Sequence, residues 1–303
     1  MTITQFDAVL PHGITLSCRA VHAPHADAPR VLLLHGFPEA AFVWDEVMTA
    51  LASNAHCIAP NLRGYERSSA PAAVTEYRAK HLVADITALI EQQFGGSVDL
   101  LVAHDWGGAV AWNLAAQQPH RLRQLLMINS PHPATFLREL RDNPAQQAAS
   151  AYMNFLCRPD AAALLAENDF ARLWPFFTNM GGATWLDAAM RERCRAVWRH
   201  GLDGALNYYR ASPLRPPLSP ADAIHRLAFA PEFVTVKVPT TVLWGEADTA
   251  LPTALLDGLE AFVPKLEVQR APGASHWIVH EQPALVVATI ERLLVVSRPQ
   301  TTM

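Results

Sequence analysis

The sequence predicts an α/β protein with a mostly parallel central sheet, helices on both of its faces, and a block of helices inserted near the middle. Two observations predict the sheet. Short, continuously apolar runs recur along the chain, and amphipathic stretches of helical period separate them. A third predicts the insertion. The rhythm stops at Asn129-Ser130-Pro131-His132-Pro133, and roughly a hundred residues then read as helices between prolines, with no strand signal until about Val234.

Taken in order, two alternating runs around Pro11-His12-Gly13 predict a β-hairpin, and Arg30 to Leu34 is an apolar run of the kind buried on both faces. That run ends in His35-Gly36-Phe37-Pro38, a tight turn in which Pro38 suits a cis bond. His56 to Ala59 predicts a further strand, and Leu82, Ile86, Leu89 and Ile90 share one face of the helix after it. Val98 to Val102 predicts a strand, Gly108 to Gln118 a helix and Gln124 to Ile128 a strand. After the insertion come a strand at Thr240 to Trp244, a helix from about Thr253, a strand at Leu266 to Gln269 and a last helix through Ala284 to Leu294. Residues Arg298 to Met303 read as a frayed tail. The division expected is a core of 1–129 and 234–303 and a cap of 130–233. About half of the 25 aromatic residues fall in the cap, so it packs against or encloses something apolar.

A chain of 303 residues with 50% hydrophobic and 17% charged residues has ample material for a large core. Its net charge of −4, with no basic concentration beyond Arg191, Arg193, Arg195 and Arg199, argues against nucleic acid and anionic membrane as partners. Cys18, Cys57, Cys157 and Cys194 lie far apart without a C-x-x-C pair, which fits a reducing compartment. The start MTITQFDAVLPHG has neither a basic region nor an apolar run, and no membrane-length segment follows, so the expected location is the cytoplasm.

The chemistry concentrates at Ala103-His104-Asp105-Trp106-Gly107-Gly108, where a buried strand runs directly into a helix. A nucleophile on such an elbow is held in a strained backbone, which requires tiny residues two before and two after it, here Ala103 and Gly107. Aspartate occupies the tip where esterases and lipases carry serine; taken alone, Asp105 also suits a helix N-cap. Asp248, in Trp244-Gly245-Glu246-Ala247-Asp248, and His276, in Gly273-Ala274-Ser275-His276-Trp277, follow in the order nucleophile, acid, histidine. Both fall at the carboxyl ends of predicted strands, where open α/β sheets carry their sites. Glu246 is an alternative acid, His104 is expected to point away from the tip, and His280 lacks the companions that metal binding needs. The amides of Phe37 and Trp106 are the candidate oxyanion donors.

An aspartate that attacks a saturated carbon forms an ester whose carbonyl belongs to the enzyme, and water must then attack that carbonyl. The route suits epoxides and alkyl halides, and it makes His276 the base for water with Asp248 behind it. An opening epoxide needs an acid for its alkoxide, which tyrosine supplies while neutral; a departing halide needs only N–H donors.

The motifs His35-Gly36-Phe37-Pro38, His104-Asp105-Trp106-Gly107-Gly108 and Ser275-His276-Trp277 resemble the soluble epoxide hydrolases of the α/β-hydrolase superfamily over essentially the whole chain. The resemblance implies the α/β-hydrolase fold and two cap tyrosines that polarise the epoxide oxygen. Asn207-Tyr208-Tyr209-Arg210 resembles the family's N-W-Y-R segment, which places one on Tyr209. Tyr152, seven residues before Pro159, matches the other, although Met153 stands where the family often has glutamine. His35, Pro38, Phe155, Trp174 and Trp277 are expected to line the substrate pocket. The implied reaction is cofactor-free and metal-free hydrolysis of a small apolar epoxide to a vicinal diol, with a homodimer among the options for assembly. Haloalkane dehalogenases share H-D-W-G but commonly carry a polar residue where Phe37 stands. Fluoroacetate dehalogenases carry arginines where this chain has Trp106 and Ala109. A dehalogenase of either kind, and a catalytically idle ligand-binding relative, are the competing expectations.

Overall fold

The computed structural model describes residues 2–181 and 184–296; the tail expected at 298–303 lies outside them. The strands are β1 (Thr4–Val9), β2 (Thr15–Val21), β3 (Arg30–Leu34), β4 (His56–Pro60), β5 (Val98–His104), β6 (Leu122–Ile128), β7 (Thr240–Gly245) and β8 (Leu266–Ala271). They form one sheet in the order β1-β2-β4-β3-β5-β6-β7-β8. The β1–β2 hairpin and the β2–β4 pair are antiparallel, and every later pairing is parallel, beginning with Val31 opposite Cys57 and Leu32 opposite Ile58.

Side chains alternate across this sheet, so it has two cores. Leu32, Leu34, Leu101, Ala103, Leu125, Met127 and Val242 face one layer, together with the inserted helices. Val31, Leu33, Leu100, Val102, Leu126, Ile128 and Leu243 face the other. Helix α1 (Asp45–Leu51) packs against that second layer. Helix α2 (Ala79–Phe94) buries Leu82, Ile86, Leu89 and Ile90 in the first layer and ends on Gly95, whose φ of 67° closes the helix in the left-handed region that glycine enters without strain. Helix α3 (Asp105–Gln117) follows β5 with no intervening loop.

Between β6 and β7 the described residues hold no strand, only helices and one 3-10 turn, Ala223–Arg226. The helices are α4 (Pro133–Asp142), α5 (Pro144–Ala149), α6 (Tyr152–Leu156), α7 (Ala161–Phe170), α8 (Trp174–Asn179), α9 (Ala188–Trp198), α10 (Asp203–Ala211) and α11 (Pro231–Val234). Prolines at the start of α4, α5 and α11 mark where each new direction begins. Donors from these helices reach core carbonyls. The Trp198 indole donates to Pro38 O at 2.7 Å, Tyr208 Oη to Arg63 O at 2.9 Å and Gln146 Nε2 to Ala250 O at 3.0 Å. After β7, the helix expected from Thr253 is two 3-10 turns, Thr253–Leu256 and Leu259–Ala261, because Gly258 enters the left-handed region between them. The chain closes with α12 (Ile278–Glu281) and α13 (Pro283–Val296), the latter covering the second layer through Val286, Ile290 and Leu293. Among the described residues no helix is long and apolar enough to cross a membrane.

Candidate active site

The carboxyl edge of the parallel strands gathers Asp105 from the end of β5, Asp248 from the turn after β7 and His276 from the turn after β8. Asp105 has a φ of +49°, which costs an L-residue on the order of 1–3 kcal/mol. Its surroundings hold it there. Gly107 leaves no room for a side chain, since a Cβ would lie 2.6 Å from the carbonyl oxygens of Leu34 and His35. Ser130 Oγ donates to Asp105 O at 2.7 Å and locks the elbow from behind.

The Phe37 amide donates to Asp105 Oδ1 at 2.7 Å, and the Trp106 amide also bonds this carboxylate. These are the two candidate oxyanion donors, and in the resting protein they bond the aspartate's own carboxylate. The Phe37–Pro38 peptide that shapes the first is cis, as its sequence suggests. The other oxygen, Oδ2, lies 3.7 Å from His276 Nε2, and the side chain is 15% exposed, so one face remains open.

Behind His276, Nδ1 lies 2.7 Å from Asp248 Oδ2. The acid is saturated with donors: its Oδ1 accepts from the amides of Ala250 at 2.9 Å and Leu251 at 2.8 Å, and its Oδ2 from Asn129 Nδ2 at 2.8 Å. Glu246 points elsewhere, into a surface pair with Arg270 at 3.1 Å. Burial pushes the His276 pKa down, but the charge and hydrogen bond of Asp248 outweigh it, helped by Asp105 and Glu39, and lift it to about 9. Burial raises Asp105 above the usual carboxylate value against the opposing pull of His276 and of the Phe37 and Trp106 amides.

A cavity of about 260 Å³ opens above Asp105, between α3 and the inserted helices. Tyr152 and Tyr209 line it, as do Trp106, Phe136 and Leu251. The two tyrosine rings lie 6.3 Å apart, and Tyr209 stands edge-on to Trp106 at 4.9 Å. Burial, followed for Tyr152 by the charges of Asp105 and Asp248, raises both phenols, so each keeps its proton. Tyr208 also lines the cavity, but its hydroxyl is engaged with Arg63 O.

The other residues expected in the pocket do not line this cavity. His35 is fully buried beneath the turn: its Nε2 accepts from the Leu62 amide at 3.0 Å, and burial lowers its pKa to about 4. Pro38 is held under Trp198 through its carbonyl. Phe155 meets Arg158 at 5.9 Å, and Trp174 packs on Trp198 between Arg191 and Arg195. Trp277 is 1% exposed, wedged between His276 and Phe177. Phe155 and Trp174 are turned into packing by the inserted helices that carry them, whereas His35, Pro38 and Trp277 are covered in the core beside Leu62, Trp198 and Phe177.

His104 extends backward as its position implies, with Nε2 2.9 Å from His276 O. His280 pairs with Glu39 at 2.6 Å and stacks on Trp185 at 4.0 Å, and no metal-binding group of His, Cys, Asp or Glu occurs among the described residues. Three supporting residues escaped sequence reasoning. Asn129, at φ +37°, and Ser130 lie in the segment where the strand rhythm breaks, and a polar pair directly after a buried strand was the available signal. Glu39, 1% exposed, follows the turn proline, but nothing local marks it as buried.

Residues 29–283 match the family model for the alpha/beta hydrolase fold. A curated relative, the AB hydrolase superfamily protein YfhM of Bacillus subtilis, is 35% identical over 91% of this chain and 92% of its own. Epoxide hydrolase 4 of Mus musculus is 30% identical over 88% of this chain and 73% of its own. Among solved structures, that of an epoxide hydrolase from Bacillus megaterium in complex with an inhibitor is similar with a TM-score of 0.87 and 30% identity, covering 96% of this chain and 100% of that one.

Proposed function

The chain belongs to the alpha/beta hydrolase fold family, and from that premise we propose that it hydrolyses epoxides to vicinal diols through a covalent ester on Asp105. The observation that carries this reading is the division of labour between the two Asp105 oxygens. Oδ1 is engaged by the Phe37 amide, while Oδ2 lies beside His276, below a cavity that two protonated tyrosines line.

Oδ2 attacks an epoxide carbon, the ring C–O bond breaks, and the released alkoxide takes a proton from the pair Tyr152 and Tyr209. Esterification removes the Asp105 charge, one of the causes that lift His276, so the imidazole loses its proton more readily and is free to accept one from water once there is an ester to hydrolyse. His276 Nε2 takes a proton from water as its oxygen attacks the Asp105 carboxyl carbon. The oxyanion forms on Oδ1, where the Phe37 amide already points, with the Trp106 amide also bonded to this carboxylate. Collapse expels the former Oδ2 on an alkoxide that takes the proton from His276 and leaves as the diol, and the second water proton, left on the new Asp105 carboxyl, passes to the tyrosinate, so every group returns to its starting state. Asp248 holds the ring and stabilises the imidazolium.

Replacing His276 with alanine tests this. Incubated with styrene oxide, the variant accumulates one substrate mass per chain, mapped to the peptide that carries Asp105. Normal turnover without an adduct refutes the mechanism. A dehalogenase reading leans on the Trp106 indole as a halide donor, and Phe37 offers no polar partner for it. Halide release from chloroalkanes, measured beside diol from styrene oxide, separates the two.

A further inference from the structure

The cavity above Asp105 runs along α3. Asp105, Ala109 and Asn113 are spaced by four residues, share one helix face, and all line it. Burial falls from one end to the other. Of the residues that line it, Ser130, Phe136, Tyr209 and Leu251 are buried, whereas Asn113, Ser212 and Leu214 are half-buried and Phe233 is 56% exposed. The mouth therefore lies about two helical turns from the nucleophile, roughly 12 Å along the helix axis. The walls on the way are apolar, formed by Leu82, Val110, Met153 and Phe229.

At the mouth the polarity changes. Asn113 Nδ2 donates to Ala109 O at 2.8 Å, the neighbour one turn back, which leaves Oδ1 as an acceptor. The other polar side chain there, Ser212, already accepts from the Leu214 amide at 3.1 Å. An apolar corridor that ends on an amide oxygen suits a substrate with the same distribution. Burying that oxygen against hydrocarbon or against another acceptor forfeits its hydrogen bond, whereas a donor satisfies it.

We propose that Asn113 is a specificity-determining residue, and that the preferred substrate class is a terminal epoxide on an elongated aryl or linear arm whose far end carries a hydroxyl or N–H. The arm lies over Ala109 and Val110, and its donor meets Asn113 Oδ1 at the mouth. This assignment rests on the epoxide reading above.

The test compares two aryl glycidyl ethers, one with a para-hydroxyl and one with a para-methoxy group, on the full chain. The ratio of their kcat/KM values is expected to favour the hydroxyl by roughly two- to tenfold, the range for one net hydrogen bond. In Asn113→Leu the ratio falls to about one or below, and in Asn113→Asp, which keeps an acceptor, the preference persists. A native ratio of one, or a ratio that Asn113→Leu leaves unchanged, overturns the assignment. So does loss of the preference in both variants, which would trace it to cavity shape. If the native protein makes no diol from either ether, the epoxide reading itself fails; diol from both without preference sinks only the role of Asn113.

Discussion

Replacing Asp248 with asparagine should separate the two halves of the reaction. Four donors converge on the native carboxylate. The Ala250 and Leu251 amides take Oδ1, and His276 Nδ1 and Asn129 Nδ2 take Oδ2. An asparagine has one acceptor oxygen, and it must stay with the two backbone amides, because orphaning buried N–H groups costs about 1–3 kcal/mol each. Its NH2 then faces two donors. Asn129 cannot turn over to accept, since its Oδ1 holds the Gly245 amide at 2.8 Å. His276 has to accept at Nδ1 and carry its proton on Nε2, the nitrogen 3.7 Å from Asp105, which makes that nitrogen a donor where a base is required. A wrong tautomer of this kind costs about three to four orders of magnitude, or about 4–5 kcal/mol of barrier, in the hydrolytic step. In the proposed mechanism ring opening uses Asp105 and the tyrosines, so it should stay within about tenfold of native. Rapid-quench mass spectrometry should therefore show stoichiometric ester on Asp105 within the first turnover, followed by very slow diol release. Steady-state diol formation within tenfold of native, with no adduct, would refute the assignment of Asp248 and the tautomer reasoning together.

The tyrosine pair should show the opposite partition. Tyr209→Phe and Tyr152→Phe each remove a hydrogen bond to a developing alkoxide, worth about 1.5–3 kcal/mol, so each slows single-turnover ester formation by roughly ten- to 150-fold while ester hydrolysis is spared. Tyr208→Phe leaves the buried Arg63 carbonyl without the donor it has at 2.9 Å, at a cost of about 1–3 kcal/mol. Calorimetry should register a fall in Tm of a few degrees, and an unchanged Tm would show that this contact does not anchor the inserted helices. Acid should destabilise the fold well above carboxylate pKa values. Burial lowers His35 and His132 to about 4 against an unfolded value of 6.5, so the unfolded chain binds more protons between these limits and stability is lost as pH falls through that window. Each contributes at most about 3 kcal/mol, and chemical denaturation at pH 7 and pH 4.5 measures the sum. A midpoint that does not move would show that these rings are charged in the fold.

Much of the scaffold was legible because its signals are local. A strand buried on both faces must be continuously apolar, so β3, β5 and β6 show themselves in Arg30–Leu34, Val98–His104 and Leu122–Ile128. The elbow shows itself because small residues must flank a side chain at positive φ, and Gly107 has no room for a Cβ. The order of Asp105, Asp248 and His276 is readable for the same reason: each follows a recognisable strand. The stretch after β7 misled because Leu251 to Val263 has helical spacing of leucines, and only Gly258 interrupts it.

The pocket was much less legible. Tyr208 and Tyr209 are adjacent and chemically equivalent in the sequence, and both line the cavity above Asp105, yet only Tyr208 spends its hydroxyl on Arg63. Successive residues of a helix point about 100° apart, so which one faces the site depends on how α10 is rolled against the core. Phe155 and Trp174 became packing layers for the same reason, Trp277 in the turn after β8 is wedged against Phe177, and Asn113, an ordinary polar residue on α3, lines the cavity.

By itself, then, the sequence determined the sheet, the elbow and the order of the reactive side chains, because backbone geometry and hydrophobic period act over a few residues. Tertiary structure alone decided which oxygen of Asp105 meets the Phe37 amide and which meets His276, and which aromatics enclose the cavity. Those outcomes depend on contacts between segments from 68 to 172 residues apart, such as Phe37 with Asp105 and His104 with His276. No local pattern encodes such approaches; they follow from how the inserted helices settle on the sheet.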